Sequence, residues 1–114
     1  MANLSIRVDF EGAGRMGPGK IALLEGVARH GSISAAGKAM GMSYRRAWEL
    51  VAELNATFDR PLVAAKVGGR HGGGSALTPF GAELVTHYRA IVAKAEAAAQ
   101  AHLHALEASL AKSE

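Results

Sequence analysis

The sequence predicts a mainly α-helical fold with a small β-sheet, folded as one domain. Its 114 residues match the length of a single domain, and 49% hydrophobic with 20% charged residues is a globular composition. Apolar residues recur at steps of three and four along most of the chain, which indicates amphipathic helices. Short apolar runs within residues 4–10 and 62–78 have the length and pattern of strands.

Composition narrows the class of protein. Cysteine is absent, which excludes disulfides and cysteine-based metal or redox sites. No apolar run reaches the roughly 18–20 residues of a membrane span, and the first residues do not resemble a signal peptide. We therefore expect a soluble, cytoplasmic protein. The formal net charge is +3, and residues 38–70 alone hold six Lys or Arg against three Asp or Glu, a local excess that suits a nucleic-acid partner.

The N-terminal region is predicted to hold one strand. Apolar residues at positions 4, 6, 8 and 10 alternate with polar ones, as in a strand over residues 4–10 with one buried face. Residues 12–19 contain four glycines and are predicted to be irregular. The first helix is then predicted from Pro18, where proline is tolerated, to His30, before a glycine that can end a helix.

Two further helices follow so closely that they suggest a helix-turn-helix. The shorter helix is predicted over residues 35–40 and the longer one over residues 44–56, with serines at positions 32, 34 and 43 as N-cap candidates. The turn between them contains Gly41. The alternative is an ordinary helical hairpin in a small bundle.

A β-hairpin is predicted over residues 62–78, directly after the third helix. Its strands are residues 62–67 and 76–78, and the loop between them holds five glycines around Arg70 and His71. The loop lacks the Gly-Lys-Ser/Thr ending of a phosphate-binding loop. It is either a flexible connection or the wing of a winged helix, which contacts the DNA backbone or the minor groove.

The last helix is predicted to begin at Pro79, to be capped by Thr78 and to continue to residue 112. At 1.5 Å per residue it would be about 50 Å long, more than the core of so small a chain can cover. We therefore predict a homodimer through this helix, and a frayed tail is the alternative. The predicted dimer interface consists of Val85, Tyr88, Val92, Ala99, Leu103, Leu106 and Leu110.

The order of these elements is that of a winged helix-turn-helix with an N-terminal strand and a long C-terminal dimerisation helix. We predict a DNA-binding winged helix-turn-helix domain over residues 1–81, with the helix-turn-helix at 34–56 and the wing at 62–78. The dimerisation helix is predicted over residues 78–112.

The third helix has the composition of a recognition helix. Apolar residues at positions 47, 50, 51 and 54 are predicted to be buried, and Arg45 and Glu49 to lie on the opposite face. Such helices read base edges mainly from their N-terminal residues. The alternative is that the arginines form an ordinary solvated face. Trp48 fits either the core, which we favour, or the DNA face. The candidate DNA contacts are Ser32, Ser34, Ser43, Tyr44, Arg45, Arg46, Trp48, Glu49, Lys66, Arg70 and His71.

Three sequence blocks carry a family resemblance. They are Gly31-Ser32-Ile33-Ser34-Ala35-Ala36, Gly41-Met42-Ser43-Tyr44-Arg45-Arg46-Ala47-Trp48, and the glycine-rich loop through Leu77-Thr78-Pro79-Phe80-Gly81. Together they resemble the N-terminal DNA-binding domain of ModE-type, molybdate-dependent transcriptional regulators. The first block and the Leu-Thr-x-x-Gly ending of the last block also resemble the broader LysR-type helix-turn-helix. The similarity covers about residues 4–80, and it implies a dimeric, site-specific DNA-binding protein that controls molybdenum-related genes.

Two departures from that pattern set further expectations. The full-length regulators carry C-terminal molybdate-binding modules, whereas this chain ends at Glu114, so we expect no tight molybdate binding by this chain alone. In the family an arginine usually follows the Leu-Val-x of the first hairpin strand, whereas this chain has Ala65 with Lys66 beside it. That change weakens the expectation of a backbone contact from this strand.

The sequence does not indicate catalysis, a bound metal or a cofactor. The histidines at positions 30, 71, 87, 102 and 104 are scattered, and those at 102 and 104 point about 200° apart on a helix. We therefore expect no enzyme. Three functions remain: a sequence-specific DNA-binding transcriptional regulator, which we favour, a non-specific nucleoid-type DNA-binding protein, and a winged-helix protein-interaction module.

Overall fold

The structure, a computed structural model, describes residues 2–66 and 74–112. Within these ranges the chain forms four helices and two antiparallel hairpins, so the predicted mainly α fold with a small β component is confirmed. The elements in chain order are β1 (Val8–Phe10), β2 (Gly14–Met16), α1 (Pro18–His30), α2 (Ile33–Ala39), α3 (Tyr44–Thr57), β3 (Val63–Ala65), β4 (Ser75–Leu77) and α4 (Pro79–Ala108).

The N-terminal region forms a hairpin instead of the single strand predicted over residues 4–10. Strand β1 covers only the end of that range, and it pairs with β2 in an antiparallel ladder. Because β2 lies inside residues 12–19, the prediction that this glycine-rich segment is irregular is wrong. The glycines make the turn possible: Gly12 has a φ of 77°, and the Ala13 N–H donates to the Phe10 carbonyl at 2.8 Å.

The predicted helix-turn-helix is present, with helix α2 shifted towards the N-terminus. Ser32, and not Ser34, caps α2, because its Oγ accepts a hydrogen bond from the Ala35 N–H at 3.0 Å. The helix therefore begins two residues and ends one residue earlier than predicted. Helix α3 follows Ser43, whose Oγ accepts from the Arg46 N–H at 3.1 Å, and it extends one residue past its predicted end.

The connections on either side of α2 are held by backbone hydrogen bonds. Gly31, which ends α1 as predicted, has a φ of 80°, and its N–H donates to the Val27 carbonyl at 2.9 Å. Between α2 and α3, the Met42 N–H donates to the Gly37 carbonyl at 3.0 Å. These bonds hold α3 in a defined orientation across α2.

One hydrophobic core joins the first three helices, both hairpins and the first half of α4. The four positions predicted to be the buried side of α3 all belong to it. Phe58 packs edge-on between Phe10 and Phe80 beside this core, with ring centroids 5.5 and 5.8 Å apart. The buried side chains are Met16, Ile21, Leu23, Leu24, Val27, Ala36, Ala47, Leu50, Val51, Leu54, Leu62, Val63, Leu84 and Tyr88.

The second hairpin is anchored to two different parts of the helical body. The Asn55 Oδ1 of α3 accepts from the N–H of Leu62 at 2.8 Å and from the N–H of Val63 at 3.4 Å. On the other strand, the Ser75 N–H donates to the Gly31 carbonyl at 2.8 Å, in the turn between α1 and α2. Strand β3 has three residues, fewer than predicted, but its start is held at a defined place beside α3.

Helix α4 begins with the predicted cap and ends four residues earlier than predicted. The Thr78 Oγ1 accepts from the Gly81 N–H at 2.9 Å. Further along, the Arg89 Nε donates to a Glu25 carboxylate oxygen at 3.1 Å, which ties α4 to α1 and raises the pKa of Arg89. The 30 residues of α4 form a rod about 45 Å long. No helix of the described residues, α4 included, is long and apolar enough to cross a membrane.

Gly81 lies against the backbone that leads into the second hairpin. A Cβ at this position would be 2.1 Å from the Leu62 carbonyl oxygen. We expect Gly81→Ala to lower the free energy of unfolding by about 1–3 kcal/mol, the usual cost of overpacking, although alanine is the better helix former. Urea denaturation measures this change.

The matched control is Gly19→Ala in the first turn of α1. Nothing lies within 4 Å of a Cβ added there, so we expect this variant to be more stable than the wild type by about 0.4–1 kcal/mol. Equal unfolding free energies for the two variants would contradict the close approach at Gly81.

Candidate nucleic-acid interface

The outward face of α3 carries two large exposed aromatic side chains. Tyr44 and Trp48 lie one helical turn apart, with 59% and 53% of their surface exposed. The interpretation of Trp48 as a core residue is therefore wrong. The buried side of α3 is filled by four smaller apolar residues, and the indole lies at the edge of that side, next to the groove between α3 and β3. Exposed aromatic side chains of this size are typical of an interaction surface.

The charges on this face are linked through Glu49. Its carboxylate accepts a hydrogen bond from the Arg45 Nε at 3.2 Å and lies 3.7 Å from the Arg46 guanidinium. The Arg45 side chain is 89% exposed, and the other two are about half exposed. Exposed ion pairs contribute only about 0–1 kcal/mol, so both arginines can exchange Glu49 for another anion at little cost.

The three candidate serines have different environments. Ser43 is exposed, and its hydroxyl caps α3. Ser32 is half-buried and caps α2, whereas Ser34 is exposed in the first turn of that helix. Because the N-terminal end of a helix favours anions, Ser34 and Ser43 suit contacts with phosphate better than contacts with bases.

The candidates on the second hairpin are only partly described. Lys66 is exposed at the end of β3, and its backbone N–H donates to the Gly74 carbonyl at 3.0 Å. Arg70 and His71, the two candidate contacts at the tip, lie outside the described residues. The chain enters the loop beside α3, on the flank that carries Trp48.

The opposite flank of α3 carries basic residues that the sequence analysis did not select. Arg46 shares a pocket with Arg7 and Arg15 of the N-terminal hairpin and with Lys20 of α1. The Lys20 Nζ lies 3.2 Å from the Glu53 carboxylate, and the Lys20 side chain is 16% exposed. These basic residues come from three separate elements of the chain. The sequence did not indicate that they lie together because the pairing of β1 with β2 was not predicted.

The first part of the predicted dimer stripe on α4 is covered by its own chain. Tyr88 is 1% exposed, and its hydroxyl donates to the Ile6 carbonyl at 2.7 Å. It is therefore a core residue, which corrects its inclusion in the partner-facing surface. Val85 and Val92 are half-buried against the same core.

The distal part of the stripe extends beyond the core. Ala99 and Leu103 are half-buried, and Ala2 lies beside Leu103 in a shallow groove along α4. Leu106 and Leu110 are 67% and 71% exposed. Leu106, in the last turn of α4, and Leu110, two residues past its end, therefore both face solvent in the single chain.

A metal site is not apparent in the part of the chain that the structure describes. Within residues 2–66 and 74–112, no three His, Asp or Glu side chains are grouped so that they could hold a metal ion. The four described histidines, at positions 30, 87, 102 and 104, are all exposed.

Helices α2 and α3 form a helix-turn-helix, and α3 exposes charged and aromatic side chains. An antiparallel hairpin follows α3 directly, and this order defines a winged helix-turn-helix protein. Comparison with known families agrees with this class. Residues 19–82, more than half of the chain, match the model of the bacterial regulatory helix-turn-helix proteins of the lysR family. The chain belongs to this family.

Curated relatives with similar sequences have names connected with molybdenum or transcription. The molybdenum-pterin-binding protein MopA of Rhodobacter capsulatus is 46% identical over 77 residues, which cover 68% of this chain and 29% of the relative. The molybdenum transport protein ModE of Azotobacter vinelandii is 38% identical over 91 residues, which cover 80% of this chain and 33% of the relative. The DNA-binding transcriptional dual regulator ModE of Escherichia coli K12 is 41% identical over 71 residues, which cover 62% of this chain and 27% of the relative. The chain thus spans about a third or less of the length of these relatives.

Proposed function

We propose that this protein is a sequence-specific DNA-binding transcriptional regulator of molybdenum-related genes. The observation that carries the proposal is the exposed face of α3, where Tyr44, Arg45 and Trp48 project from a helix whose other side is held in the core. The names of the relatives support the link to molybdenum, since they include a DNA-binding regulator and a molybdenum transport protein.

Helix α3 suits the major groove of DNA. This groove is about 12 Å wide and admits one α-helix. Arg45, in the first turn, is proposed to contact guanine, the commonest specific partner of arginine. Tyr44 and Trp48 can contact the apolar edges of the bases, while Ser43 and Arg46 are proposed to contact phosphates.

The second hairpin is proposed to be the wing. Lys66, Arg70 and His71 are its proposed contacts with the DNA backbone or the minor groove. The hydrogen bonds that Asn55 accepts from the N–H groups of Leu62 and Val63 support this proposal, because they attach the start of the hairpin directly to α3.

We propose that the protein acts as a homodimer joined through the distal half of α4. The exposed Leu106 and Leu110 support this, since burying a leucine side chain contributes about 1.5–3 kcal/mol. Val92, Ala99 and Leu106 follow one another at seven-residue intervals, the period of a coiled coil. A two-fold dimer would place two copies of α3 on half-sites about one DNA turn apart. The proposed interface centres on Ala99, Leu103, Leu106 and Leu110. Val85 and Val92, which are half-buried against the core of their own chain, are proposed to lie at its edge.

Selection of bound sequences from random DNA tests the proposed function. We expect the wild type to enrich a two-fold symmetric sequence and to bind it at least about 10³ times more tightly than random DNA at physiological salt. Equal and strongly salt-dependent binding to all sequences would instead identify a non-specific DNA-binding protein. Weak binding to any DNA with little salt dependence would point to a protein partner.

Glu49 is proposed to limit the binding of α3 to random DNA, because it pairs with both arginines of the exposed face. We expect Glu49→Gln to strengthen binding to random DNA by about three- to tenfold and to make the salt dependence steeper by about one unit, since an anion near the phosphates is removed. Fluorescence anisotropy over a series of salt concentrations measures both quantities. Glu83→Gln makes the same charge change on α4 and is the control. Unchanged or weaker binding of Glu49→Gln to random DNA would rule out this role.

The remaining expectations from the sequence stay predictions. They are that the protein is not an enzyme, that it acts in the cytoplasm without a cofactor, and that this chain alone binds no molybdate tightly. Calorimetric titration with molybdate checks the last of these, and saturable binding at micromolar concentration would contradict it.

A further inference from the structure

The pocket beside Arg46 brings four cations together. Its volume is about 270 Å³, and none of the described residues that line it is acidic. The carboxylates that pair with these cations lie outside the lining: Asp9 with Arg7 at 2.9 Å, Glu53 with Lys20 at 3.2 Å, and Glu49 with Arg46 at 3.7 Å. The basic residues of this pocket, named here the hairpin pocket, are Arg7, Arg15, Lys20 and Arg46.

The hairpin pocket and the base of the second hairpin lie on opposite flanks of α3. Arg46 and Trp48 are two residues apart, so they point about 200° apart around the helix. Trp48 borders the groove between α3 and β3, where the second hairpin begins, whereas Arg46 borders the N-terminal hairpin. A helix that lies in the major groove has one phosphate strand along each flank.

We propose that the hairpin pocket binds the phosphate backbone of DNA, on the strand opposite to the one that the wing contacts. This inference rests on the proposed function of α3. Arg7 and Arg15 are exposed at the pocket, and guanidinium groups match the oxygens of a phosphate in geometry and charge. The ion pair of Arg7 with Asp9 is exposed, so it exchanges readily for a phosphate contact. Lys20 is held by Glu53 and mainly positions α1 against α3.

The variants Arg7→Ala and Arg15→Ala, alone and combined, test this proposal. Binding to the selected site and to random DNA is measured over a series of salt concentrations. Each lost phosphate contact is expected to reduce the slope of log K against log salt by about 0.9, which corresponds to roughly eightfold weaker binding at 0.1 M salt. Both DNAs should be affected alike, because phosphate contacts carry no sequence information.

Ethylation of single phosphates locates the contact on the DNA. At least one phosphate should be found whose ethylation impairs the wild type but not the double variant. Lys94→Ala removes the same charge from an exposed position of α4 and is expected to change neither the slope nor the ethylation pattern. Thermal unfolding should be unchanged in all variants, since the substituted side chains are exposed.

The outcomes separate this proposal from the proposed function. If the wild type binds DNA and the double variant keeps its salt slope and ethylation pattern, the assignment of the hairpin pocket is wrong and the proposed function stands. If the wild type binds no DNA, both are wrong. A saturable micromolar site for free phosphate or molybdate, lost in Arg15→Ala while DNA binding stays normal, would make this a free oxyanion site and overturn the proposal.

Discussion

The combined variant Leu106→Asp and Leu110→Asp is expected to be monomeric and to lose most of the affinity for a two-fold symmetric DNA site. Both side chains are more than half exposed in the single chain, and nothing in the described part of the protomer covers them. A charged side chain at each position would have to be buried in the interface with the second copy without a partner of opposite charge, which is costly. Dimerisation through α4 would then become unfavourable.

The expected size of this effect is large. A dimer buries four of these leucines, and each fully buried leucine contributes about 1.5–3 kcal/mol, so association loses several kcal/mol. Each 1.4 kcal/mol corresponds to a tenfold change in an equilibrium constant. We therefore expect the affinity for the symmetric site to fall by about 10² to 10⁴, while each monomer still recognises a single half-site weakly.

Sedimentation velocity measures the oligomeric state, and anisotropy with a half-site and a full site measures the affinity. The control is Ala101→Asp with Ala108→Asp, which adds the same charges at exposed positions on the far side of α4. This control should remain dimeric. A wild type that is monomeric at tens of micromolar would show that the distal half of α4 is not a dimer interface.

The variant Arg45→Ala is expected to lose about 1–3 kcal/mol of binding to the selected site, an affinity about 5- to 150-fold weaker, with little loss on random DNA. The reason is that a bidentate contact with guanine discriminates between bases, whereas a phosphate contact does not. The Arg45 side chain is 89% exposed and pairs only with Glu49 among the interactions described, so its removal should leave the unfolding temperature unchanged.

Comparing selected and random DNA in the same assay separates base-specific contacts from non-specific electrostatic binding to the backbone. Lys94→Ala removes one positive charge from an exposed position of α4, outside the proposed DNA contacts, and is the control. Repeating the sequence selection with Arg45→Ala should relax the preference at one position of each half-site. An unchanged selected sequence and affinity would mean that Arg45 does not contact a base.

The helices were predictable because their signals are local. The caps at Ser43 and Thr78, the proline at the start of α1 and the glycine at its end are each read within a few residues, and the structure has them all. Where a local signal was ambiguous, the boundary moved: Ser32 and Ser34 were both candidate caps for α2, and only the hydrogen bond from the Ala35 N–H to Ser32 decides between them.

The features that sequence reasoning missed depend on contacts between distant segments. The many glycines of residues 12–19 argued against a strand, but pairing with β1 outweighs their low strand propensity. Trp48 is apolar and was assigned to the core, yet smaller side chains already fill the buried side of α3. The basic residues of the hairpin pocket come from the residue before β1, from β2 and from two helices, so no single segment of the sequence indicates it.

The amide of Asn55 has a mechanical consequence. It joins the start of β3 to α3, while the Ser75 N–H joins β4 to the turn after α1. Both strands at the base of the second hairpin are therefore held to the helices by hydrogen bonds. The span between α3 and the root of the hairpin cannot change unless these hydrogen bonds break. The protein therefore presents α3 and the base of the second hairpin at a fixed separation. In the proposed complex with DNA, the duplex would supply the adjustment, and sequences whose grooves already have the right width, or that bend easily to it, would be bound at lower cost.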